Sequence, residues 1–264
     1  MTTRYRLGTT SYIVAADLLD NVVHLAGRVD DIELILFEVD DGPSNLPDEA
    51  AVARLRELAA ASRLTYTVHL PLDIRLGDID APDHPSLTKA AAVIDRLRPV
   101  APHAYVLHLE GRDVLAGAVP RARWLARTVA ALEILAHHAG GAAALAVENL
   151  EGYPLDFLDP VLARVPVSAC VDIGHLWLEG HDALAYLRSR IERTRIIHLH
   201  GIGTRDHQSL AHVPHERLRA LRELLDETRY DGVVTLEVFN AHDLETSMAA
   251  FAAAAPACER MLDG

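Results

Sequence analysis

Apolar and polar positions follow two rhythms that replace one another from end to end of this chain. Short runs rich in β-branched residues, RYRLGTT (4–10), DIELILFE (31–38), LTYTVHLP (64–71), AYVLHLE (104–110), AALAVENL (143–150), VSACVDIG (167–174), RIIHLHG (195–201) and GVVTLEVF (232–239), have the length and composition of strands. Between them lie longer Ala/Leu-rich stretches whose apolar residues recur at helical spacing. In 47–63 Val52, Leu55 and Leu58 share a face, and in 214–229 Leu218, Leu221, Leu224 and Leu225 do. Pro47 and Pro214 stand where a helix tends to begin.

Strands alternating with helices imply parallel pairing through right-handed crossovers. Eight such units in 264 residues fit a single (β/α)8 TIM barrel better than an open, doubly wound sheet. No glycine-rich phosphate fingerprint follows any strand, which weakens the dinucleotide-binding alternative. Without a linker composition anywhere, residues 1–264 are expected to form one domain. The glycine and prolines of the loop DDGPSNLPDE (40–49) say only that it turns, and leave open whether it is a lid or a partner surface.

Composition narrows the classes further. A net charge of −13 repels a polyanion, so nucleic acid is not expected as a partner. No charged leader precedes an apolar run, and no run reaches the roughly 18 apolar residues of a membrane span, so the expectation is a cytoplasmic protein with no membrane partner. Cys170 and Cys258 are too isolated for a disulfide framework and read as small buried hydrophobes.

In a barrel of this kind the active site forms where the strands end. His69, His108, Glu148, Asp172, His198 and Glu237 end strands three to eight in succession, 39, 40, 24, 26 and 39 residues apart, so a barrel would bring them to one axis. Glu148 and Glu237 sit in apolar runs, where burial is costly unless a proton or a cation neutralises them. In VDIGH, Asp172 and His175 face one cavity from a turn, and in GTRDHQSLAH, His207 can swing back over the mouth. His200 shares a strand face with His198 and is a candidate contact to the ligands or to substrate, with barrel-interior packing as the equal alternative; His212 reads as ordinary surface. Five imidazoles with two or three carboxylates suit zinc, manganese or iron better than magnesium or calcium. The set has room for one to three divalent ions, and adjacent ions suit hydrolysis of phosphoesters. Glu148 and Glu237 are the candidate catalytic carboxylates, with Glu148 the natural bridge. Arg75 is a candidate for steering a substrate phosphate, or else pairs with Asp73 or Asp78.

These residues resemble, over essentially the whole chain, the xylose isomerase-like or AP endonuclease type 2 TIM barrels, which include endonuclease IV and many sugar-phosphate isomerases and epimerases. The resemblance implies a shared core at Glu148, Asp172 with His175, His198 and Glu237, and extra endonuclease-type ligands at His69, His108 and His207. One departure is visible: endonuclease IV-like chains carry Asp two residues before the loop histidine, where this chain has Arg205, with the acid next door at Asp206. The segments RLGTTSYIVAADLLDNV, FEVDDGPSNLPDE, LTYTVHLPLDIRLGD and HLHGIGTRDHQSL are similar to the cobamide-remodelling phosphodiesterases. That likeness implies metal-dependent hydrolysis of the phosphodiester joining the corrin side chain to the lower-ligand nucleoside, with a small-molecule corrinoid as partner.

Two other readings remain. A keto-sugar isomerase or epimerase would use Glu148 and Glu237 as an acid/base pair beside one metal-bound substrate, and has no need of His69 and His108. A corrinoid-binding or metal-storing protein without turnover would not require donors from six strands around an open mouth.

Overall fold

The computed structural model describes residues 4–36, 45–78, 80–203 and 205–255, and its eight strands close into a barrel in sequence order. They are β1 Arg6–Thr10, β2 Asp31–Ile35, β3 Thr65–His69, β4 Tyr105–Leu107, β5 Leu145–Glu148, β6 Ser168–Asp172, β7 Thr194–Leu199 and β8 Val233–Leu236. Every pairing is parallel, and β8 returns to β1 over Arg6↔Val233 to Thr9↔Leu236. The expected (β/α)8 barrel is therefore the observed one. Each strand is shorter than the run that announced it, and β7 starts one residue early. His108 and Glu237 fall one residue beyond β4 and β8, where the ladder opens into loops.

The helices are α1 Leu18–Leu25, α2 Glu49–Ser62, α3 Pro85–Leu97, α4 Arg112–Leu115, α5 Arg121–Ala139, α6 Asp159–Leu162, α7 Ile173–Leu178, α8 Ala183–Arg190, α9 His215–Glu227 and α10 Ala241–Ala253. α2 starts behind Asp48, whose side chain accepts the Ala51 N–H, so Pro47 precedes the cap; α9 starts directly after Pro214. The expected faces are the buried ones: Val52, Leu55 and Leu58 in α2, and Leu218, Leu221, Leu224 and Leu225 in α9. Each fully buried leucine contributes about 1.5–3 kcal/mol. Tyr66 and Tyr105 tie barrel to helices by donating their hydroxyls to the Leu55 and Ile94 carbonyls.

Alternation along the strands separates two cores. Tyr105, Leu107, Leu145, Val147, Val171 and Ile197 join the layer under the helices, whereas Ala104, Val106, Ala146, Cys170 and Ile196 form a small cluster of their own inside the barrel. Glu148, Asp172 and His198 share the parity of that inner cluster, so their side chains stand on the barrel axis above it. Cys170 is buried as expected; Cys258 and residues 37–44, with the first half of the DDGPSNLPDE loop, lie outside the described residues. Among the described residues no helix is long and apolar enough to cross a membrane.

Candidate metal centre

Among the described residues several overlapping groups of donor atoms crowd the mouth of the barrel, and three of them make up the candidate centre. The first is His69, His108 and Glu148; the second Glu148, Asp172, His198 and Glu237; the third Asp172, His175, His200 and His207. Within each group the donor atoms lie within 4.8 Å of one another. Glu148 belongs to the first and second, and Asp172 to the second and third. Strand ends that are adjacent around the barrel thus become adjacent corners of one polar cluster.

In the first group His69 donates Nδ1–H to its neighbour's carbonyl, Leu70, at 2.8 Å, which leaves Nε2 facing Glu148 Oε2 at 3.5 Å. His108 Nε2 meets the same oxygen at 3.1 Å. In the second, His198 Nδ1 lies 3.3 Å from both Glu148 Oε1 and Glu237 Oε2. Its other nitrogen, Nε2, is 2.9 Å from Glu33 Oε2, and both residues are fully buried. A hydrogen bond there places the ring proton on Nε2 and turns the Nδ1 lone pair toward the carboxylates. Asp172 is held twice: its N–H donates to Asn149 Oδ1, and its side chain caps α7 by accepting the His175 N–H at 2.7 Å. That cap is the physical content of the DIGH turn, because it sets His175 one turn into α7 with Nδ1 3.3 Å from Asp172 Oδ2.

The third group is built on a strained loop. His207 sits at φ 50°, in the left-handed region, and its N–H donates to His200 Nδ1 at 3.0 Å while the two rings stack 4.2 Å apart. With His200 Nδ1 accepting, its proton belongs on Nε2, which faces Asp172 Oδ1 at 3.3 Å. His200 in this arrangement stands beside Asp172 without a hydrogen bond to it and, being fully buried, has no open path to substrate. His207 Nε2 reaches Glu237 Oε2 at 3.3 Å and its Nδ1 reaches Asp206 Oδ2 at 3.1 Å. Asp206 also gathers with Glu151 and His175, whereas Arg205 turns to its own loop, donating to the Asp206 carbonyl. The loop acid that faces the histidines is thus Asp206, one residue beyond Arg205.

Charge at the mouth is arranged for a cation. Burial works to raise the Glu148 carboxyl, but the His198 and His108 imidazoles outweigh it and hold it well below the usual carboxylate range. Glu237 behaves likewise under His198 and His207. Burial pulls the His198 imidazole down, yet the Cys170 sulfur and the Glu33, Glu237 and Glu148 carboxylates carry it well above its ordinary value. His69, His175 and His207 are all raised against their burial, by Glu148, by Asp172 and by the Glu237 carboxylate respectively, His207 to about 9. Asp172 Oδ2, Glu237 Oε2 and His200 Nε2 are buried without a hydrogen-bond partner. Orphaned carboxylate oxygens, converging imidazoles and mixed N/O donors fit divalent metal ions.

Of the residues singled out from sequence, the structure gathers His69, His108, Glu148, Asp172, His175, His198, His200, His207 and Glu237. Arg75 stands apart: exposed, it donates to the Leu72 and Ile74 carbonyls and lines a cleft with Asp78, Glu110 and Arg112, and Asp73 pairs instead with Lys89. His212 is exposed, as expected. Sequence reasoning missed Glu33, Asn149 and Glu151; for Glu33 the available signal was an acid inside the apolar run DIELILF.

A closed barrel with metal-type donors at the C-terminal ends of its strands defines a (β/α)8 protein equipped for divalent ions. The chain belongs to the family of xylose isomerase-like TIM barrels, whose sequence model matches residues 23–258. No curated protein matches the sequence. Solved structures with the same fold include a D-tagatose 3-epimerase-like protein (TM-score 0.77, 16% identity, 94% of this chain and 96% of that one). D-Psicose 3-epimerase, solved in the presence of D-fructose, follows at TM-score 0.70 and 17% identity over 94% and 97%. Endonuclease IV from Thermus thermophilus is similar at TM-score 0.66 and 19% identity over 94% and 99%.

Proposed function

We propose that this chain is a metal-dependent hydrolase that cleaves a phosphodiester at a centre of adjacent ions. The observation that carries the reading is the first donor group, because His69 and His108 add a second pocket for an ion on the far side of Glu148. A one-ion isomerase has no use for it. When bound, divalent ions would supply an activated water near neutral pH and charge stabilisation for the departing oxygen. The chain's own part is to hold the donors: Glu148 links the first two groups, Asp172 the second and third, Glu33 orients His198, and His200 stands beside Asp172. His108 and His207, each partly exposed, form the rim a substrate would meet.

The finer proposal concerns substrate: a cobamide, cut at the phosphodiester of its nucleotide loop. It is supported by the likeness of four segments to the cobamide-remodelling phosphodiesterases and by a charge of −13, which disfavours DNA. A second reading, epimerisation of a keto sugar, is favoured by the solved structures of similar fold, which are mostly epimerases. Those comparisons back it better than they back a cobamide substrate. In that case Glu148 and Glu237, facing each other across His198, would be the proton-transferring pair.

Metal-loaded protein incubated separately with adenosylcobalamin and with D-fructose, D-tagatose and D-psicose, with products resolved by liquid chromatography and mass spectrometry, tests both. Release of a corrinoid phosphate and a lower-ligand nucleoside, abolished in His69→Ala, is the expected result. A C3-epimerised sugar that survives His69→Ala would replace the hydrolase reading with the epimerase one. No turnover of either at full metal occupancy would remove the cobamide.

A further inference from the structure

The end of the barrel opposite the metal centre carries a basic cleft of about 680 Å³, with Arg6, His103, Arg193, Arg195 and Arg229 in its walls. These residues lie at or just before the starts of β1, β4, β7 and β8. Arg6 Nη2 donates to His103 Nδ1 at 2.8 Å, and Arg195 Nη2 approaches the same nitrogen at 3.4 Å. Two guanidinium groups therefore meet at one uncharged acceptor. His103 is held neutral, lowered to about 4 by burial and by the Arg195 and Arg6 charges; burial and Arg6 also lower Arg195.

Like charges brought this close repel, and the fold keeps them together without the usual remedy. Among the described residues none of the four arginines has a carboxylate within the 4.0 Å of an ion pair, although Glu192 and Asp231 line the same cleft. Arg6 Nε and His103 Nε2 are buried without a hydrogen-bond partner, so donor capacity here exceeds what the chain itself accepts. Arg193 donates to the Leu162 and Val165 carbonyls and Arg195 to the Ala143 carbonyl beside its approach to His103, so each keeps only part of its fork for a ligand. In a chain of net charge −13, such a concentration of unpaired cations at one end is the reverse of the overall balance.

We propose that this cleft binds the phosphate group of a phosphorylated small molecule between Arg6 and Arg195, with Arg193 and Arg229 on its rim. Planar guanidinium forks match tetrahedral oxyanions with paired charge-assisted hydrogen bonds. The cleft is far larger than one phosphate and falls within the range of small-molecule sites, so the rest of the ligand has room. The site is separate from the metal centre, and it stands whether or not the hydrolase reading does.

The test is calorimetric titration of the full-length protein at low ionic strength with inorganic phosphate and, separately, with adenosine monophosphate as a phosphate ester. Arg195→Ala is expected to weaken binding about tenfold or more, and the exposed Arg229→Ala by less. Circular dichroism confirms that both variants fold. Glu148→Ala, which disables the mouth of the barrel, is expected to leave binding intact. Saturable binding with that pattern supports the site, and tighter binding of the nucleotide identifies an ester as the preferred form. No saturable binding of either probe, or binding that survives Arg195→Ala but disappears in Glu148→Ala, would overturn it.

Discussion

Replacing Glu33 tests whether the buried carboxylate under the metal centre organises it. Glu33 Oε2 and His198 Nε2 are 2.9 Å apart with both side chains out of water, so their hydrogen bond is charge-assisted and unscreened. Hydrogen bonds of this type are worth about 1.5–3 kcal/mol, which corresponds to roughly a 10- to 100-fold change in an equilibrium constant. Glu33 touches no substrate, so that loss should appear in metal binding: His198 would no longer be fixed with Nδ1 toward Glu148 and Glu237. Glu33→Gln keeps the volume and an acceptor oxygen but removes the charge, and should fall at the lower end of the range; Glu33→Leu removes the acceptor and should reach the upper end. Competition against a chromophoric chelator reads the affinity, and thermal unfolding of the metal-free chain checks that each variant is folded. Metal affinity equal to wild type in both variants would refute the reasoning.

Proton linkage gives a second expectation. His207, raised to about 9, and His198, carried well above its ordinary value, hold protons at neutral pH in the metal-free chain, and an ion must displace them. Metal affinity should therefore rise with pH up to about 9, and calorimetry in buffers of different ionisation enthalpy should show net proton release; a pH-independent affinity would contradict the site. Asp31 is fully buried, and its carboxyl is raised to about 6, by burial first, against the hydrogen bond from Thr65 and with further push from Glu33. Because its folded value exceeds its unfolded one, its contribution is intact below about pH 4 and is lost as pH rises through 6. Asp31→Asn should stabilise the protein at pH 7 by up to about 3 kcal/mol and by little at pH 4, as read from thermal midpoints. Gly174→Ala would set a Cβ 2.2 Å from the His200 ring, so a loss of about 1–3 kcal/mol or a displaced His200 is expected; an unchanged midpoint and metal content would show that the α7 backbone yields.

The barrel and most of the donor set were legible because they depend on coarse regularities. Each βα unit returns the chain to the same end of the barrel, so acids and histidines spaced one unit apart, by 24 to 40 residues, become neighbours around one axis. Glu33 carried a weaker form of the signal that marked Glu148, because it sits mid-strand and not at a strand end. DIELI alternates polar and apolar, the pattern of a strand with one wet face, and only closure of the sheet puts Asp31 and Glu33 inside. His200 was correctly placed beside His198, but its role depends on which nitrogen the His207 N–H reaches, a contact across a loop that spacing does not encode. Arg75 shows the opposite limit: its position after β3 suggested the mouth, and its side chain folds back on its own loop. Where a long, flexible side chain points is settled by local carbonyls and not by topology.

Because Glu148 and Asp172 each belong to two donor groups, the centre cannot fill as three independent sites. A carboxylate fixed by one ion is already oriented for the next, and its negative charge is already partly spent. The first effect favours successive binding and the second opposes it, so the stepwise affinities should be spread apart, with a tightly held ion among the buried carboxylates and a more exchangeable one near the exposed His207 rim. Partial loading would then be an ordinary state of this protein, and the metal supply around it would set how much of the centre is assembled at any moment.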